Sequence, residues 1–438
     1  MSLTGFAIFT MFLWFLLKNR IATTIISPYT FICLRYFLFF GLVEWSNYDL
    51  YVKADFLTTI GFFAFTFCYF FSYKTFSKSS VNKLMGLVGT INKKYNFEIK
   101  SKYIALIILY SLIYLVYVYY YGIVEYGALQ RFALHFYTKG QVIDVHMSIL
   151  TKKLIEYGDL LLIIFLIFTR MSWLVKNNKL YPFSFFLVLI CYYATALPSG
   201  TRGLVLIPLL IICIIDISFY KRNLSKNISF FVPAFLLGIS VIFIAILTFS
   251  RGVYFSDFNE FSESIFDIIN TEKSSYGVNR FGGRIMDETA FVIENYGESR
   301  SFLGMHTLYS ILVNPVPRVF WPSKPVGFGR VLALEQGFSE DGRNSLAAGI
   351  AGEGYANLGI VGAILFCLFF GGLSGIAAKI AHGCLLTGGL LHVPLGFLAF
   401  KMSTSFIRGD MLSAWGQSVY PIFLYLLIFL FIKKFTKN

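Results

Sequence analysis

The sequence is built around a series of apolar blocks, each roughly 17 to 22 residues long, with short charged segments between them. At 1.5 Å per residue, a helix of that length crosses the roughly 30 Å hydrocarbon core of a bilayer. Only 14% of the residues are charged and 57% are hydrophobic, whereas a globular domain carries roughly 25% charged residues. The sequence therefore predicts an all-α polytopic membrane protein.

About eleven membrane spans can be assigned along the chain. They are expected at about 3–17, 29–43, 54–73, 103–122, 154–175, 181–197, 203–219, 229–249, 355–378, 385–400 and 417–432. The chain then divides into spans 1 to 8 over residues 1–249, one large loop domain over 250–354, and spans 9 to 11 over 355–438. Within the loop, apolar residues from Phe258 to Ile269 recur at helical spacing, which predicts an amphipathic helix.

The charge of the loops predicts the orientation, because cytoplasmic loops are rich in Lys and Arg. With the C-terminal tail inside, the inside segments hold 19 basic residues, Arg170 among them, and one acid, Glu98. The long loop holds nine basic and thirteen acidic residues. We therefore predict an outside N-terminus, a cytoplasmic C-terminus and an extracytoplasmic loop domain. The net charge is +14, but the basic residues are spread over the inside segments and do not form one basic face. We therefore expect no nucleic-acid partner.

Three arginines are candidates for binding an anion. Arg202 lies in a short Ser-Gly-Thr-Arg-Gly hairpin that is followed at once by a predicted helix, and an arginine at a helix N-terminus suits phosphate oxygens. Arg280 and Arg284 are four residues apart and would share one face of a helix as a pyrophosphate clamp. The alternatives are an interfacial anchor for Arg202 and, for the other two, an intrahelical ion-pair ladder with Asp287 or Glu288.

Aromatic and basic residues alternate later in the loop, where they are candidates for binding sugars and phosphates. They equally suit an aromatic belt at the membrane interface. The candidates for substrate binding are His306, Arg318, Trp321, Lys324, Arg343 and Tyr355.

Glu353 is the candidate general base. It lies among glycines directly before a predicted apolar helix, so we expect it to be partly desolvated. The alternative is a carboxylate that favours the helix N-terminus through the helix dipole.

The sequence predicts no cofactor and no metal site. It has no Walker loop, no dinucleotide-binding glycine pattern, no His pair at helical spacing and no DxD motif. The five histidines are scattered, and the six cysteines lie in or next to apolar blocks.

Taken in order, the motifs resemble the O-antigen polymerase (Wzy) family of bacterial surface polysaccharide synthesis. They are the 199–203 hairpin, the loop arginines, the Val-Pro-Arg-Val-Phe-Trp-Pro-Ser-Lys-Pro stretch at 316–325, and Gly-Glu-Gly-Tyr-Ala-Asn-Leu-Gly at 352–359. The resemblance covers about residues 198–362 by motif and the whole chain by topology. It rests on the order and the sidedness of the motifs.

The resemblance implies a GT-C-like, metal-independent glycosyltransferase at the outer face of the cytoplasmic (inner) membrane. Such an enzyme would transfer a growing glycan from undecaprenyl pyrophosphate onto a new lipid-linked repeat unit, to make O-antigen, common antigen or capsule. The implied partners are these undecaprenyl-pyrophosphate-linked donors and acceptors, membrane lipid and a Wzz-like chain-length regulator. Arg202, Arg280 and Arg284 match the arginines expected on the pyrophosphate, and Glu353 matches the acidic position at the end of the loop.

Two other functions remain open at this point. The related O-antigen ligases place a His before their last Gly-rich helix, whereas residues 345–348 here are Ser-Leu-Ala-Ala, which favours a polymerase and leaves Glu353 or His306 as the acceptor base. A lipid-linked oligosaccharide flippase or small-solute transporter would place polar groups near the membrane midplane. The predicted spans hold few ionisable groups, mainly Arg35 and Asp216.

Overall fold

The computed structural model describes residues 2–18, 27–37, 40, 48–88, 101–126, 149–175, 179–196, 208, 211–216, 283–316, 320–337, 345–387 and 391–435. Over these residues the fold is all-α, with one isolated bridge between Tyr296 and Arg300 and no sheet. The helices are α1 (Leu3–Lys18), α2 (Pro28–Tyr36), α3 (Tyr48–Thr75), α4 (Lys78–Val88), α5 (Ser101–Tyr126), α6 (Ile149–Val175), α7 (Leu180–Ala196), α8 (Gly283–Asn295), α9 (His306–Val313), α10 (Phe328–Glu335), α11 (Gly349–Thr387), α12 (His392–Ser405), a 3₁₀ turn (Phe406–Arg408) and α13 (Met411–Phe435).

Four of the described helices are long and apolar enough to cross a membrane. Their apolar segments are Asp49–Thr75, Tyr103–Tyr120, Tyr157–Val175 and Gly349–Leu385, and α1 and α7 add shorter ones. Phe67, Val116 and Ile190 on these helices are each more than 60% exposed, as expected for side chains that face lipid. The prediction of an all-α fold is confirmed over the described residues, and these four helices are candidate membrane spans by length and composition. The count of eleven spans stays a prediction. Most of the predicted span at 203–219, all of 229–249 and the predicted helix at 258–269 lie outside the described residues.

The chain forms two compact units. The first contains Met1–Ile91 and Val278–Asn438, and the second contains Asn92–Gly277. The predicted domain boundaries at residues 249 and 354 were drawn where the chain was expected to leave and re-enter the membrane. The two units above are defined by packing, so the predicted boundaries stay a prediction.

In the first unit, α3 and α11 pack with their backbones almost in contact. A Cβ atom on Gly371 would lie 2.4 Å from the Phe65 carbonyl oxygen, and one on Gly375 would lie 2.2 Å from the Tyr69 carbonyl oxygen. Small residues four apart allow this approach between apolar helices. The contact packs the second half of α11 against α3.

Helix α11 is broken between its first and second thirds. Leu358 (φ −142°, ψ 27°) and Gly359 (φ 65°, ψ −152°) leave the helical conformation. The carbonyl groups of Ala356 and Asn357 accept hydrogen bonds from the backbone N–H groups of Leu303 (2.9 Å) and Gly304 (2.8 Å). The loop before α9 therefore satisfies backbone groups that the break releases.

The start of α11 corrects one boundary. We expected the apolar helix to begin at about residue 355, but it begins at Gly349. The glycines that suggested a loop instead allow close packing, since a Cβ on Gly362 would lie 2.2 Å from the Gly354 carbonyl oxygen. Glu353 therefore lies inside the helix and not before it.

Asp55 in α3 caps the N-terminus of α1. Its carboxylate oxygens accept hydrogen bonds from the backbone N–H groups of Leu3 (2.7 Å) and Thr4 (3.0 Å), and from the Thr4 hydroxyl (2.5 Å). The first N–H groups of a helix lack partners within the helix and favour a negative charge. A buried carboxylate, 1% exposed, is thereby stabilised between two apolar helices.

In the second unit, Arg170 on α6 forms a buried two-point ion pair with Asp216. The Nε and Nη2 atoms donate to the two carboxylate oxygens at 3.0 and 2.7 Å, and the guanidinium lies 4.5 Å from the centre of the Trp173 ring. This corrects the assignment of Arg170 to a basic cytoplasmic segment. It is 1% exposed within a helix, so it adds nothing to the loop charge on which the orientation depends.

Candidate functional site

The candidate site is centred on the Glu353 carboxylate, in the first third of α11. The side chain is fully buried, and each oxygen accepts one hydrogen bond: Oε1 from the Thr307 hydroxyl and Oε2 from the Met411 backbone N–H, both at 2.9 Å. Burying a carboxylate costs free energy unless such bonds replace those with water. Among the described residues, no Lys or Arg side chain forms an ion pair with it.

Asn357, one helical turn after Glu353, joins α11 to the start of α9. Its amide donates to the Glu353 carbonyl oxygen (2.7 Å) and to the Thr307 hydroxyl (3.0 Å), and its Oδ1 accepts from the Thr307 backbone N–H (3.1 Å). Both groups of the buried amide are therefore satisfied. Glu353 and Asn357 thus both contact Thr307 from the same face of α11, just before the break at the next two residues.

Asp410 is a second carboxylate at this site, and it was not among the residues predicted from the sequence. It accepts hydrogen bonds from the hydroxyls of Ser345 (2.5 Å) and Ser413 (2.6 Å), and it is 9% exposed. Its φ is 53°, and no other non-glycine residue among those described has a positive φ. Since the next residue, Met411, donates to Glu353, the two carboxylates flank one backbone turn. The only sequence signal was the Gly409-Asp410 pair between two predicted spans.

The turn at 409–411 lies against the start of α11. A Cβ on Gly409, where φ is 84°, would lie 2.7 Å from the Gly349 backbone nitrogen. On the other side, a Cβ on Gly329 in α10 would lie 3.0 Å from the Asp410 carboxyl carbon. Glycine at both positions allows the close approach, which brings α10, α11 and the turn before α13 together around Asp410.

Two predicted substrate-binding residues hold the backbone of the loop. The Lys324 ammonium donates to the carbonyl oxygens of Asn314 and Val316, at 2.9 Å each, where α9 ends. It is 9% exposed. The His306 Nε2 atom lies 2.8 Å from the Val326 carbonyl oxygen. These side chains lie in the same unit as Glu353 but already bond to the chain itself.

The two predicted aromatic residues differ in their surroundings. The Trp321 indole N–H donates to the Ser323 hydroxyl (3.1 Å), and its ring meets Tyr309 edge-on at 6.3 Å. Tyr355 packs edge-on against Phe302 at 5.9 Å and contacts two buried apolar clusters. Trp321 therefore lies on the loop and Tyr355 within the helix packing.

The predicted arginines fall largely outside the described residues. Arg202, Arg280, Arg318 and Arg343 all lie there. Arg284 is in the first turn of α8, and its side chain is not described. Helix α8 lies beside the start of α11, since the Thr289 hydroxyl donates to the Ala348 carbonyl oxygen at 2.7 Å.

The first two acidic residues that follow Arg284 in α8 each accept a hydrogen bond from a described residue. Asp287 accepts a hydrogen bond from the Tyr51 hydroxyl, and Glu288 accepts one from the Gln336 amide. A nearby cluster contains the Tyr296 hydroxyl, 2.8 Å from a Glu335 oxygen, and Arg300, which pairs with the same carboxylate at 2.5 Å. Burial, and then Glu335, raise the pKa of Tyr296 well above its usual range, so the phenol remains a donor at neutral pH.

Within the described part of the chain, no three His, Cys, Asp or Glu side chains are grouped to hold a metal ion. Comparison of the chain with family profiles, with curated proteins and with solved structures gave no match.

Proposed function

We propose that this protein polymerises undecaprenyl-pyrophosphate-linked oligosaccharide repeat units by glycosyl transfer at the outer face of the cytoplasmic membrane. The observation that carries the proposal is the buried Glu353 carboxylate and its neighbour Asp410, held where a broken apolar helix meets two loop helices. Ionisable groups within an apolar helix are costly and are functional candidates by default.

The predicted topology puts the two carboxylates on one side of the membrane. With eleven spans and a cytoplasmic C-terminus, the loop domain over 250–354 and the segment over 401–416 are both outside. Thr307 belongs to the first and Met411 to the second, and both donate to Glu353. The resemblance to O-antigen polymerases implies a reaction on that side, which supports the proposal.

In the proposed reaction, a hydroxyl of the acceptor sugar attacks the anomeric carbon of the donor. A new carbon–oxygen bond forms while the bond from that carbon to the pyrophosphate oxygen breaks, and undecaprenyl pyrophosphate leaves with the electron pair. The hydroxyl proton passes to a carboxylate of the site. Direct displacement inverts the anomeric centre.

Arg202, Arg280 and Arg284 would stabilise the negative charge that the leaving pyrophosphate acquires. A guanidinium group binds phosphate oxygens at two points and remains charged. Fixed positive groups act most strongly in a site from which water is excluded. Arg284 is the member of this set that belongs to a described helix, α8, and Thr289 of that helix contacts the residue before α11.

We assign Glu353 as the general base and Asp410 as the carboxylate that the acceptor meets first. Glu353 has no exposed atom and both of its oxygens are occupied, whereas Asp410 retains 9% exposure. The turn at 409–411 therefore has to move before a sugar hydroxyl reaches Glu353. Its left-handed residues, Gly409 and Asp410, are the natural place for that movement.

A transporter of lipid-linked oligosaccharide is the second candidate, and the break in α11 favours it. Transporters commonly build their sites from discontinuous helices in which freed backbone groups meet polar residues. Here the freed carbonyls of Ala356 and Asn357 are occupied by the loop before α9. We therefore rank it below the glycosyltransferase. The O-antigen ligase also ranks below the polymerase, because residues 345–348 contain no His.

Reconstitution of purified protein with a synthetic undecaprenyl-pyrophosphate repeat unit tests the proposal. A ladder of products on a gel is expected, with and without EDTA. Addition of one unit to lipid A core would instead identify a ligase. Movement of labelled substrate across sealed vesicles without a ladder would identify a transporter.

The carboxylates are tested by removing their charge at constant shape. Glu353→Gln should lower the polymerisation rate by at least about a hundredfold, since a positioned base typically contributes a factor of that size or more. Asp410→Asn should also lower the rate, because it removes the charge of the carboxylate that the acceptor meets first. Glu298→Gln, at an exposed acid in the same unit, is the matched control and should polymerise normally. Normal ladders from both site variants at equal membrane abundance would remove the carboxylates from the mechanism.

A further inference from the structure

An apolar groove lies between α1 and α3, in the first unit and away from Glu353. Its volume is about 510 Å³, and Met11 and Trp14 form the wall on α1. The wall on α3 is largely aromatic and includes Phe63, Phe67 and Phe71. The rings of Phe67 and Phe71 lie nearly parallel, with centres 6.4 Å apart and planes at 15°.

The groove has the length of one membrane leaflet. Phe63 and Lys74, at its two ends along α3, are eleven residues apart, or about 16 Å on a helix. This is close to half of the roughly 30 Å hydrocarbon core. The apolar segment Asp49–Thr75 has 27 residues, or about 40 Å, which matches the core together with its headgroup regions. Lys74 therefore lies at headgroup depth.

Lys74 is the charged residue of the groove lining. Its side chain is exposed, and within the described residues it forms no ion pair. A lysine at headgroup depth attracts anionic lipid headgroups. Trp14, on the facing wall, packs edge-on against Phe70 at 6.0 Å, and Trp is enriched near the membrane interface. One end of the groove thus suits a phosphate, and the rest suits a hydrocarbon chain.

We propose that the groove binds one acyl chain of an anionic glycerophospholipid, with the lipid phosphate against the Lys74 ammonium. A chain that enters from the headgroup side would run along Phe71 and Phe67 and end near Phe63. The site is separate from the proposed glycosyl transfer and does not depend on it.

Photo-crosslinking in vesicles tests this site. The protein is reconstituted with phosphatidylglycerol or phosphatidylcholine that carries a diazirine in one acyl chain, and labelled peptides are mapped. Labelling of residues 63–71 by phosphatidylglycerol should exceed labelling by phosphatidylcholine at least about fivefold. Lys74→Glu should remove this preference, whereas Lys78→Glu, at an exposed lysine outside the groove, should preserve it.

A second variant separates loss of the site from loss of the fold. Met11→Trp fills the groove and should reduce labelling by both lipids, while the protein remains monodisperse in detergent. Equal labelling by both lipids in the wild-type protein would overturn the proposal. Stronger labelling by a diazirine polyprenyl phosphate than by phosphatidylglycerol would also overturn it, because the groove would then bind a different class of lipid.

Discussion

The Lys324 ammonium lies against two carbonyl oxygens at the end of α9, those of Asn314 and Val316. The last carbonyl groups of a helix have no partner within the helix, and a cation there also interacts favourably with the helix dipole. This side chain therefore closes the turn between α9 and the loop that leads to α10. Its bonds explain why so little of a lysine is exposed.

We expect Lys324→Met to lower the free energy of unfolding by about 1 to 3 kcal/mol, because two partly buried carbonyl groups lose a charged donor. Thermal unfolding of the purified protein in detergent measures the change. Arg330→Met, at an exposed residue of α10, is the control and should leave the midpoint unchanged. An unchanged midpoint in Lys324→Met, together with lost polymerisation, would instead support the original assignment to substrate binding.

Single residues of the site were predictable to different degrees. Glu353 stood out because it is an acid among glycines before an apolar block. Asp410 gave no such signal, because its importance comes from contacts with Ser345, which is 65 residues away in the chain, and with the turn that donates to Glu353. Arg170 was misplaced for the same reason, since its partner Asp216 is 46 residues away.

At the level of elements, the glycines of α11 have two separate uses. Gly371 and Gly375 allow α11 to approach α3, and Gly359 takes the left-handed conformation at the break. Glycine is unfavourable inside a helix. The glycines before residue 355 therefore suggested a loop, and the start of α11 was predicted too far along the chain. The apolar part of the same helix was located correctly, since its length and composition alone identify a membrane helix.

Gly375→Ala should destabilise the protein by about 1 to 3 kcal/mol, because the added methyl group would overlap the Tyr69 carbonyl oxygen. Gly416→Ala in α13 is the control, since nothing lies within 4 Å of the new methyl group. It should be neutral or stabilising by up to about 1 kcal/mol through helix propensity. The unfolding midpoint of purified Gly375→Ala should therefore fall below that of Gly416→Ala, and equal midpoints would contradict the close packing of α3 and α11.

For the whole molecule, composition sufficed to predict a membrane protein, because apolar blocks of this length are incompatible with a soluble fold. The sides of the membrane were inferred from loop charge. The pairing of α3 with α11 could not be inferred from the sequence. Apolar helices in lipid associate through close packing at small residues, and the sequence does not say which helix packs against those residues.

The predicted orientation has a direct measurement. Cysteine at Lys83 should react only with a membrane-permeant maleimide in sealed cells, and cysteine at Arg330 should also react with an impermeant one. Both positions are exposed, unlike Lys324, and the unsubstituted protein gives the background from its six native cysteines. Impermeant labelling at position 83 would reverse the orientation and put the candidate site on the cytoplasmic side.

The cap that Asp55 provides to α1 has a consequence for biosynthesis. The carboxylate that completes the start of α1 is 52 residues later in the chain than Leu3. A ribosome that adds about 5 to 20 residues per second needs roughly 3 to 10 seconds to make that stretch. During this interval, the first N–H groups of α1 must be hydrated or held by the insertion machinery. Helix α1 can therefore take its final depth in the membrane only after α3 has been delivered beside it.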